Sequence, residues 1–265
     1  MAFQCFPVLP GVTHIQDAMG VCMTLLAGEK RALLVDTGYG LEDVAAFVRT
    51  LTDLPLTVML THAHHDHALG ARWFEKVYLF PQDQESYREF TGNRRRRAVL
   101  RSAKDKGIAV EEDAFLTAPM PPALPLMEQE IDLGGLTARV ILCPGHTPGS
   151  AVVYVPERQL LLTGDDWNPC TWLFFHEALR AQDYRRNMRG LLALPFERIL
   201  CSHQPHLYGR AMLEAFLNGL TDEALQAAPL VPTGNGEGVR TAQAALPEGQ
   251  IFVFDRDKFE GKGEA

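Results

Sequence analysis

The amino-acid sequence predicts a layered α/β sandwich in which helices cover stacked β-sheets. Short apolar runs alternate along the chain with segments whose apolar residues recur at helical spacing. Some runs, such as Ala151 to Val155, are apolar on both faces, which requires a covering layer on each side of the sheet. The chain has 265 residues, 46% of them hydrophobic and 22% charged, so it is long and apolar enough for a sizeable core.

In the first half of the chain, two predicted strands flank the turn Gly28-Glu29-Lys30. Two further predicted strands are short apolar runs bounded by a proline or by a polar segment. The predicted strands are Val21 to Leu26, Arg31 to Val35, Leu56 to Leu60 and Val77 to Phe80. Apolar residues at helical spacing predict an amphipathic helix from Leu41 to Leu51. The more polar stretch from Gln82 to Lys106 is predicted to be helical and to end at Gly107.

The second half repeats this alternation. Its predicted strands are Leu136 to Leu142, Ala151 to Val155, Gln159 to Leu162, Ile199 to Ser202 and Gln250 to Phe254. Helices are predicted around Tyr184 to Leu192 and Met212 to Leu220.

The proline-rich segment Ala118 to Pro125 between the halves is predicted to be an extended link and not a domain boundary. We therefore expect a single domain over residues 1–265. Residues 227–265 form a C-terminal extension in this prediction, with a loop from Ala227 to Gly238, a final strand and a frayed end from Glu260 to Ala265.

The charge and cysteine content restrict the partners and the compartment. A net charge of -8 argues against nucleic acid or an anionic membrane as a partner, so a small-molecule substrate is expected. Five scattered cysteines without a CxxC pair, and no secretion signal within Met1 to Gly11, predict a cytoplasmic protein with reduced thiols. Cys143 and Cys201 precede candidate ligands and are interpreted as buried strand residues, with a ligand role as the alternative. A homodimer is compatible with the sequence.

The segment Thr61-His62-Ala63-His64-His65-Asp66-His67 predicts a metal site. It places four imidazoles and a carboxylate directly after an apolar run, and these are ligands that zinc prefers. His62 and His64 are two residues apart in an extended segment, so both rings face one side and can bind one ion. Asp66 and His67 follow as the chain turns and can face a second ion. A chance surface cluster of histidines is the alternative.

Three more predicted strand ends carry ligand types. His146 lies in the turn Pro144 to Ser150, and Asp165 follows the strand at Leu162. Asp166 is the alternative ligand or a partner behind the metal. His203 is favoured over His206 as the ligand in the last segment, because it lies nearer the strand; His206 is the alternative.

This pattern resembles the metallo-β-lactamase fold superfamily of hydrolases from about Thr13 to Gly209. The matching residues are Asp36-Thr37-Gly38, the histidine segment at residues 62–67, His146, Asp165 and His203. The resemblance implies a four-layered αββα sandwich of two mixed β-sheets flanked by helices. It implies one metal held by His62, His64 and His146, and a second held by Asp66, His67 and His203, with Asp165 bridging. Asp36 is implied to steady the metal loop from behind the ligands, and His65 is implied not to be a ligand.

The sequence departs from the common patterns of that superfamily in two places. The last histidine commonly lies in a Gly-His-Gly setting, whereas here the segment is Ser202-His203-Gln204. In the redox branch, which has a di-iron centre and a flavin partner, a glutamate replaces His64. The histidine therefore favours hydrolysis over electron transfer.

The expected cofactor is a pair of divalent cations, with zinc favoured over iron or manganese. Two cations roughly 3.5–4 Å apart make a bridging hydroxide available near neutral pH, so no serine or cysteine nucleophile is required. Asp66 is predicted to orient that water or pass a proton to the leaving group. The favoured function is hydrolysis of a small ester-type substrate: a thioester, a lactone or a related acyl compound. The alternatives are a phosphodiesterase or nuclease with the same site, a β-lactamase, and a non-catalytic metal-dependent ligand sensor.

Two segments bear on the substrate. The aromatic stretch from Trp167 to His176 is predicted to form a pocket wall, with core or dimer packing as its alternative. The predicted pocket residues are Trp167, Trp172, Phe174, His176, His206 and Tyr208. The basic run Arg94 to Arg97, followed by Arg101 and Lys104, is interpreted either as an anion-binding patch or, preferably, as a solvated helix face.

Overall fold

The computed structural model describes residues 3–232 and 238–262. Its first sheet has seven strands in chain order, antiparallel from β1 to β4 and parallel from β4 to β7. These strands are β1 (Gln4–Leu9), β2 (Val12–Gln16), β3 (Cys22–Ala27), β4 (Ala32–Val35), β5 (Leu56–Met59), β6 (Val77–Leu79) and β7 (Ala123–Pro125).

The second sheet has six strands in the order β14-β13-β11-β10-β9-β8, with only the β11–β13 pair parallel. A smaller third sheet has the order β12-β16-β15. The strands are β8 (Gln129–Asp132), β9 (Thr137–Leu142), β10 (Ala151–Val155), β11 (Leu160–Leu162), β12 (Cys170–Leu173), β13 (Arg198–Leu200), β14 (Tyr208–Gly209), β15 (Thr241–Ala245) and β16 (Ile251–Asp255).

Nine α-helices lie within the described ranges, and none of them is long and apolar enough to cross a membrane. They are α1 (Val44–Arg49), α2 (His65–Ala68), α3 (Gln84–Phe90), α4 (Asn93–Asp105), α5 (Glu112–Thr117), α6 (Ala181–Gly190), α7 (Arg210–Gly219), α8 (Asp222–Ala227) and α9 (Arg256–Phe259).

The alternation of side chains along the central strands builds the layers. In β4, Leu33 and Val35 pack into a core shared with β9, β10 and β11 of the second sheet, so the two large sheets lie face to face. Ala32 and Leu34 point the other way and pack with residues of α1 and α3. The outer face of the second sheet packs on α6, α7 and the third sheet. The predicted layered α/β sandwich is therefore confirmed.

Several predicted boundaries are wrong for identifiable reasons. The predicted helix from Leu41 starts only at Val44, because the Asp43 carboxylate caps it by accepting the Ala46 amide hydrogen at 2.9 Å. The predicted helical stretch from Gln82 to Lys106 is two helices, since Gly92 is extended between α3 and α4. The strand predicted to reach Ser202 ends at Leu200.

The structure adds strands to the proline-rich link and to the C-terminal region. The last residues of the link, Ala123–Pro125, form β7, which pairs in parallel with β6. The final strand is present as β16, and it forms the unpredicted third sheet. The predicted loop from Ala227 to Gly238 and the predicted frayed end lie partly outside the described residues, at 233–237 and 263–265.

Candidate metal centre

The predicted ligands meet where the strands of both large sheets end. In the first sheet, parallel strands β4 and β5 lead to Asp36 and to the histidine segment at residues 61–67. In the second sheet, β11 and β13 are also parallel and lead to Asp165 and His203. The connection from β9 to β10 carries His146 to the same edge. This is because β10 runs antiparallel to β11 and therefore begins where β11 ends. All seven predicted ligands come together in two groups.

The first group consists of His62, His64 and His146, all buried. Nε2 of His146 lies 2.9 Å from Nδ1 of His64, and the His62 ring centroid is 4.6 and 4.8 Å from those of His64 and His146. Each ring is oriented by its other nitrogen. His62 contacts Thr61 Oγ1 at 3.0 Å, His64 donates to the Glu177 carboxylate at 2.5 Å, and His146 donates to the Trp172 carbonyl at 2.7 Å.

The second group consists of Asp66, His67, Asp165 and His203. Nε2 of His203 lies 3.0 Å from Oδ2 of Asp165 and 3.7 Å from Oδ2 of Asp66. Nε2 of His67 lies 3.4 Å from the same Asp165 oxygen and 3.6 Å from the same Asp66 oxygen. Helix α2 presents Asp66 and His67 together, and the Asp36 carboxylate accepts the other His67 ring nitrogen hydrogen at 2.9 Å.

One oxygen links the two groups. Oδ2 of Asp165 lies 3.8 Å from Nε2 of His146 in the first group, as well as 3.0 and 3.4 Å from the two histidines of the second. A carboxylate at such a position is suited to bridge two cations, because it carries a charge and two oxygens.

Electrostatics favour the metal-binding forms of three of these side chains. Burial and the neighbouring His64 lower the pKa of His146 to about 4, so its imidazole is neutral. Burial and three adjacent imidazoles lower the pKa of His62 well below its usual value. Burial opposes the charge of Asp165, but two adjacent imidazoles outweigh it and hold its pKa well below the usual range. Neutral imidazoles and an ionised carboxylate are the states that bind zinc.

The two histidines of the second group are held differently, because carboxylates surround them. Burial opposes the positive charge of His67, but Asp165 and Asp66 outweigh it and raise its pKa well above the usual value. Burial also opposes the positive charge of His203, but Asp165 and Asp66 outweigh it and raise its pKa. A proton and a cation therefore compete for these two imidazoles, so a metal bound there displaces a proton.

The unsatisfied polar atoms test whether a metal fits. Nε2 of His62, Nε2 of His67 and Oδ1 of Asp165 are buried and have no hydrogen-bond partner among the described residues. Buried polar atoms are normally paired, and these three belong to the two ligand groups. The other nitrogens of the two rings contact Thr61 and Asp36, so the unpartnered Nε2 atoms and the Asp165 oxygen form a donor set that fits a cation.

Asp36 organises the segment that carries the ligands. Its carboxylate accepts hydrogen bonds from the Thr61 amide at 2.7 Å, the Thr61 hydroxyl and the His67 ring. Asp36 has a left-handed backbone with φ of 66°, which aspartate tolerates better than most residues. The role of Asp36 behind the proposed ligands stays a prediction, and these contacts favour it.

The neighbouring candidates fall outside both groups. Oδ1 of Asp166 accepts the His146 amide hydrogen at 3.0 Å, so this buried carboxylate holds the His146 loop. His65 lies beside Asp66 with its ring near Tyr39. The exposed His206 packs on Tyr208, with ring centroids 4.7 Å apart, while His203 faces Asp165.

A cavity of about 940 Å³ opens onto the two groups. Of the predicted pocket residues, Trp172, Phe174 and His176 line it. The prediction for Trp167 is corrected: its ring is fully buried and donates to Gln250 at 3.1 Å, because the chain turns inward before β12.

His206 and Tyr208 are likewise not among the described residues that line the cavity. Both follow His203 at the point where the chain turns into β14, which places their rings against each other and the Tyr208 ring against Trp167. The prediction of pocket positions for these two residues is therefore corrected as well.

Three side chains that matter here were not predicted. Glu177 has an almost buried side chain and orients His64, but no ligand spacing marks it in the sequence. Asp83 joins the two ligand loops, because its carboxylate accepts hydrogen bonds from Ala63, Thr147 and Gly149. Tyr39 lines the cavity, and burial together with nearby Asp66 raises the pKa of its phenol. Its position directly after Asp-Thr-Gly was the only available signal.

Comparison with known proteins identifies the family to which the chain is similar. Residues 18–203 match the family described as the metallo-beta-lactamase superfamily. The chain is 27% identical over 210 residues to the acyl-coenzyme A thioesterase MBLAC2 of Gallus gallus, covering 68% of this chain and 70% of that protein. It is 31% identical over 165 residues to a hydroxyacylglutathione hydrolase of Cereibacter sphaeroides, covering 60% of this chain and 52% of that enzyme.

Solved structures share the fold. The metallo-beta-lactamase family protein TTHA1429 from Thermus thermophilus superimposes with a TM-score of 0.59 at 24% identity, covering 83% of this chain and 82% of that one. TTHA1623 in a di-iron-bound form superimposes with a TM-score of 0.54 at 26% identity, covering 75% and 94%.

Proposed function

The chain belongs to the metallo-beta-lactamase superfamily and is a hydrolase, and on that premise we propose that it uses two divalent cations to hydrolyse small acyl thioesters. The observation that carries this proposal is the position of Asp165. A single oxygen of its carboxylate lies between two separate sets of ligand atoms, at the floor of a cavity large enough for a small molecule.

In this proposal, His62, His64 and His146 would hold one cation, and Asp66, His67 and His203 would hold the other. Asp165 would serve both ligand groups, since its Oδ2 lies near histidines of each. We propose zinc, because imidazole and carboxylate ligands suit it. The chemistry that such a pair of cations supplies is polarisation of the acyl oxygen and a lower pKa for water.

The side chains around the ligands position the reactants. Asp66 lies on the cavity wall, where its carboxylate can accept a hydrogen bond from water and pass a proton to the departing thiolate. Tyr39 presents a protonated phenol to the same cavity and can donate to an acyl oxygen. The rings of Phe174 and Phe175 stack with centroids 4.8 Å apart and exclude water from one side.

The thioester class is favoured by the relatives together with the cavity. Two similar proteins are named for acyl derivatives of coenzyme A and of glutathione, both of which are thiols. The cavity combines an aromatic wall with polar groups, which suits an acyl chain attached to a polar carrier.

The test compares the wild-type protein with Asp165→Asn. We expect two metal ions per wild-type chain by elemental analysis, and turnover of acyl thioesters in a panel that also contains lactones, β-lactams and phosphodiesters. Asp165→Asn should lose at least one metal and reduce kcat by about 100-fold or more, because two cations contribute several kcal/mol to barrier lowering.

Asp183→Asn is the matched control, since this carboxylate on α6 pairs with Arg180 and Arg186 and does not line the cavity. It should keep both metals and full activity. One tightly bound metal with undiminished activity in Asp165→Asn would refute the dinuclear proposal, and turnover of phosphodiesters alone would refute the thioester assignment.

A further inference from the structure

Helix α4 forms one wall of the cavity and presents arginines to it. Arg94, Ala98 and Arg101 recur at helical spacing, and all three line the cavity together with their neighbours Arg95 and Ser102. Arg97 and Lys104 lie on other faces of this helix and do not line the cavity. Arg96 is buried and donates to the carbonyls of Thr91, Phe115 and Ala118. The basic cluster is therefore divided among the cavity, the interior and the outer surface.

The cavity-facing arginines differ in their partners. Arg95 pairs with Glu89 at 3.2 Å and lies over the Phe90 ring at 4.4 Å. Arg94 and Arg101 have no carboxylate within 4.0 Å among residues 3–232 and 238–262. Two guanidinium groups thus remain available for a ligand, on a chain whose net charge is -8.

Their spacing indicates the shape of the ligand. Seven residues of α-helix rise about 10 Å, so Arg94 and Arg101 can contact anionic groups at two points along an extended molecule. Guanidinium binds phosphate and carboxylate oxygens through paired, charge-assisted hydrogen bonds.

The other wall has a different character. Trp172, Phe174 and Phe175 present aromatic surface to the cavity, and the ligand groups lie at its floor. The aromatic residues offer apolar surface for an acyl chain and α4 offers cationic surface for a polar carrier, in the same cavity that the ligand groups line.

From this arrangement we infer that Arg94 and Arg101 form an anion-binding subsite that recognises the thiol carrier of the substrate through its phosphate or carboxylate groups. This inference rests on the proposed thioesterase function and specifies its substrate class. The carrier is an anionic thiol, and α4 discriminates it from neutral thiols.

The experiment measures kcat/KM for the same short acyl group on coenzyme A, on glutathione and on neutral N-acetylcysteamine. The metal-loaded wild type should prefer the anionic carriers, and this preference should weaken as salt is added. The double variant Arg94→Gln/Arg101→Gln should lose about 10- to 100-fold in kcat/KM on the preferred carrier, because charge-assisted hydrogen bonds are removed. The loss on the neutral carrier should be at least tenfold smaller.

Arg97→Gln is the matched control on the same helix and should change none of these values. A larger loss on coenzyme A than on glutathione identifies phosphate as the recognised group, and the reverse identifies carboxylate. Equal losses on all three carriers, or no carrier preference in the wild type, would overturn the subsite.

A binding measurement separates this inference from the proposed function. S-ethyl coenzyme A and S-ethyl glutathione cannot be hydrolysed as thioesters, and calorimetry should show at least one of them binding more tightly to the wild type than to the double variant. If the wild type hydrolyses no thioester yet shows this difference, the proposed function fails and the subsite stands. If thioesters are hydrolysed but neither compound shows the difference, the subsite fails alone.

Discussion

At the scale of single residues, the centre depends on what each imidazole contacts on its far side. His64 is oriented by Glu177, whose carboxylate is almost buried and accepts its ring hydrogen at 2.5 Å. Such contacts fix the tautomer of a ligand and raise its affinity for metal. Glu177 lies in the segment after β12, so the centre depends on this segment as well as on the loops that carry the proposed ligands.

We therefore expect Glu177→Gln to weaken metal binding by about 10- to 100-fold at one of the two sites, because the amide keeps the shape but loses the charge. Titration against a chelating dye measures this affinity. Glu89→Gln is the control, since this cavity carboxylate contacts Arg95 and His176 but none of the proposed ligands. A lower melting temperature with unaltered metal affinity would show that Glu177 is merely structural.

A second prediction separates the two histidines at the end of the segment after β13. His203→Ala should leave about one metal per chain, because His203 belongs to the ligand group around Asp165. His206→Ala should retain both, because its ring is exposed and packs on Tyr208. Elemental analysis of the two purified variants distinguishes them, and the opposite pattern would reverse our assignment.

The convergence of the proposed ligands was predictable because each follows a strand end and belongs to a residue type that binds metal. The residues behind them were less predictable. Glu177 and Asp83 act through contacts 113 and 64 residues away in sequence, with His64 and Thr147 respectively, and neither has a local spacing pattern. Asp36 was recognised only through a family resemblance.

At the scale of elements, strand β2 connects the first sheet to the ligand edge of the second. The buried His14 lies on β2, accepts from the Thr24 hydroxyl at 2.9 Å and donates to the Cys201 carbonyl at 3.2 Å. Burial lowers the pKa of His14 to about 4, while Cys201, Gln204 and Asp36 oppose the shift. The folded protein therefore favours the neutral ring.

This shift predicts a pH dependence of stability. Because the folded pKa lies below the unfolded value, the contribution of His14 is present above about pH 6.5 and is lost as the pH falls toward 4. Between pH 7.5 and pH 5 the loss is about 2 kcal/mol. In urea unfolding, the free energy of unfolding of the wild type should fall by about 2 kcal/mol more than that of His14→Gln between pH 7.5 and pH 5.

The comparison between the variant and the wild type isolates His14, since the histidines of the proposed metal centre are present in both and their titration cancels in the difference. Parallel stability curves for His14→Gln and the wild type would contradict this assignment.

Elements were predictable where their pattern was strong. The buried strand Ala151–Val155 was predicted to the residue, because every position is apolar. Helix and strand ends were displaced where a side chain or backbone contact sets the limit, as Asp43 does for α1. The third sheet was missed, because pairing of β12 with β16 joins segments about 80 residues apart and leaves no local signature.

At the scale of the whole molecule, the proposed ligands come from both large sheets. His62, His64, Asp66 and His67 follow strands of the first sheet, whereas His146, Asp165 and His203 follow strands of the second. Metal binding should therefore stabilise the packing of one sheet on the other.

Removal of metal by a chelator should lower the Tm by about 10 °C, because a ligand at a thousand times its Kd contributes about 4 kcal/mol to stability. Differential scanning calorimetry with and without added zinc measures the shift, which should reverse when zinc returns. In Asp165→Asn the zinc-dependent shift should be smaller. An unchanged Tm on complete removal of the metal would show that the sheets associate without its help.

The small third sheet connects strand β16 to the proposed metal centre, whose residues lie far from β16 in the sequence. Val253 on β16 pairs with Trp172 on β12, and the carbonyl of Trp172 accepts the ring hydrogen of His146. Trimming the protein before residue 250 would release the strand that supports this imidazole and the aromatic lip beside it. Shortened versions chosen for crystallisation or fusion should keep this terminal strand if they are to remain competent.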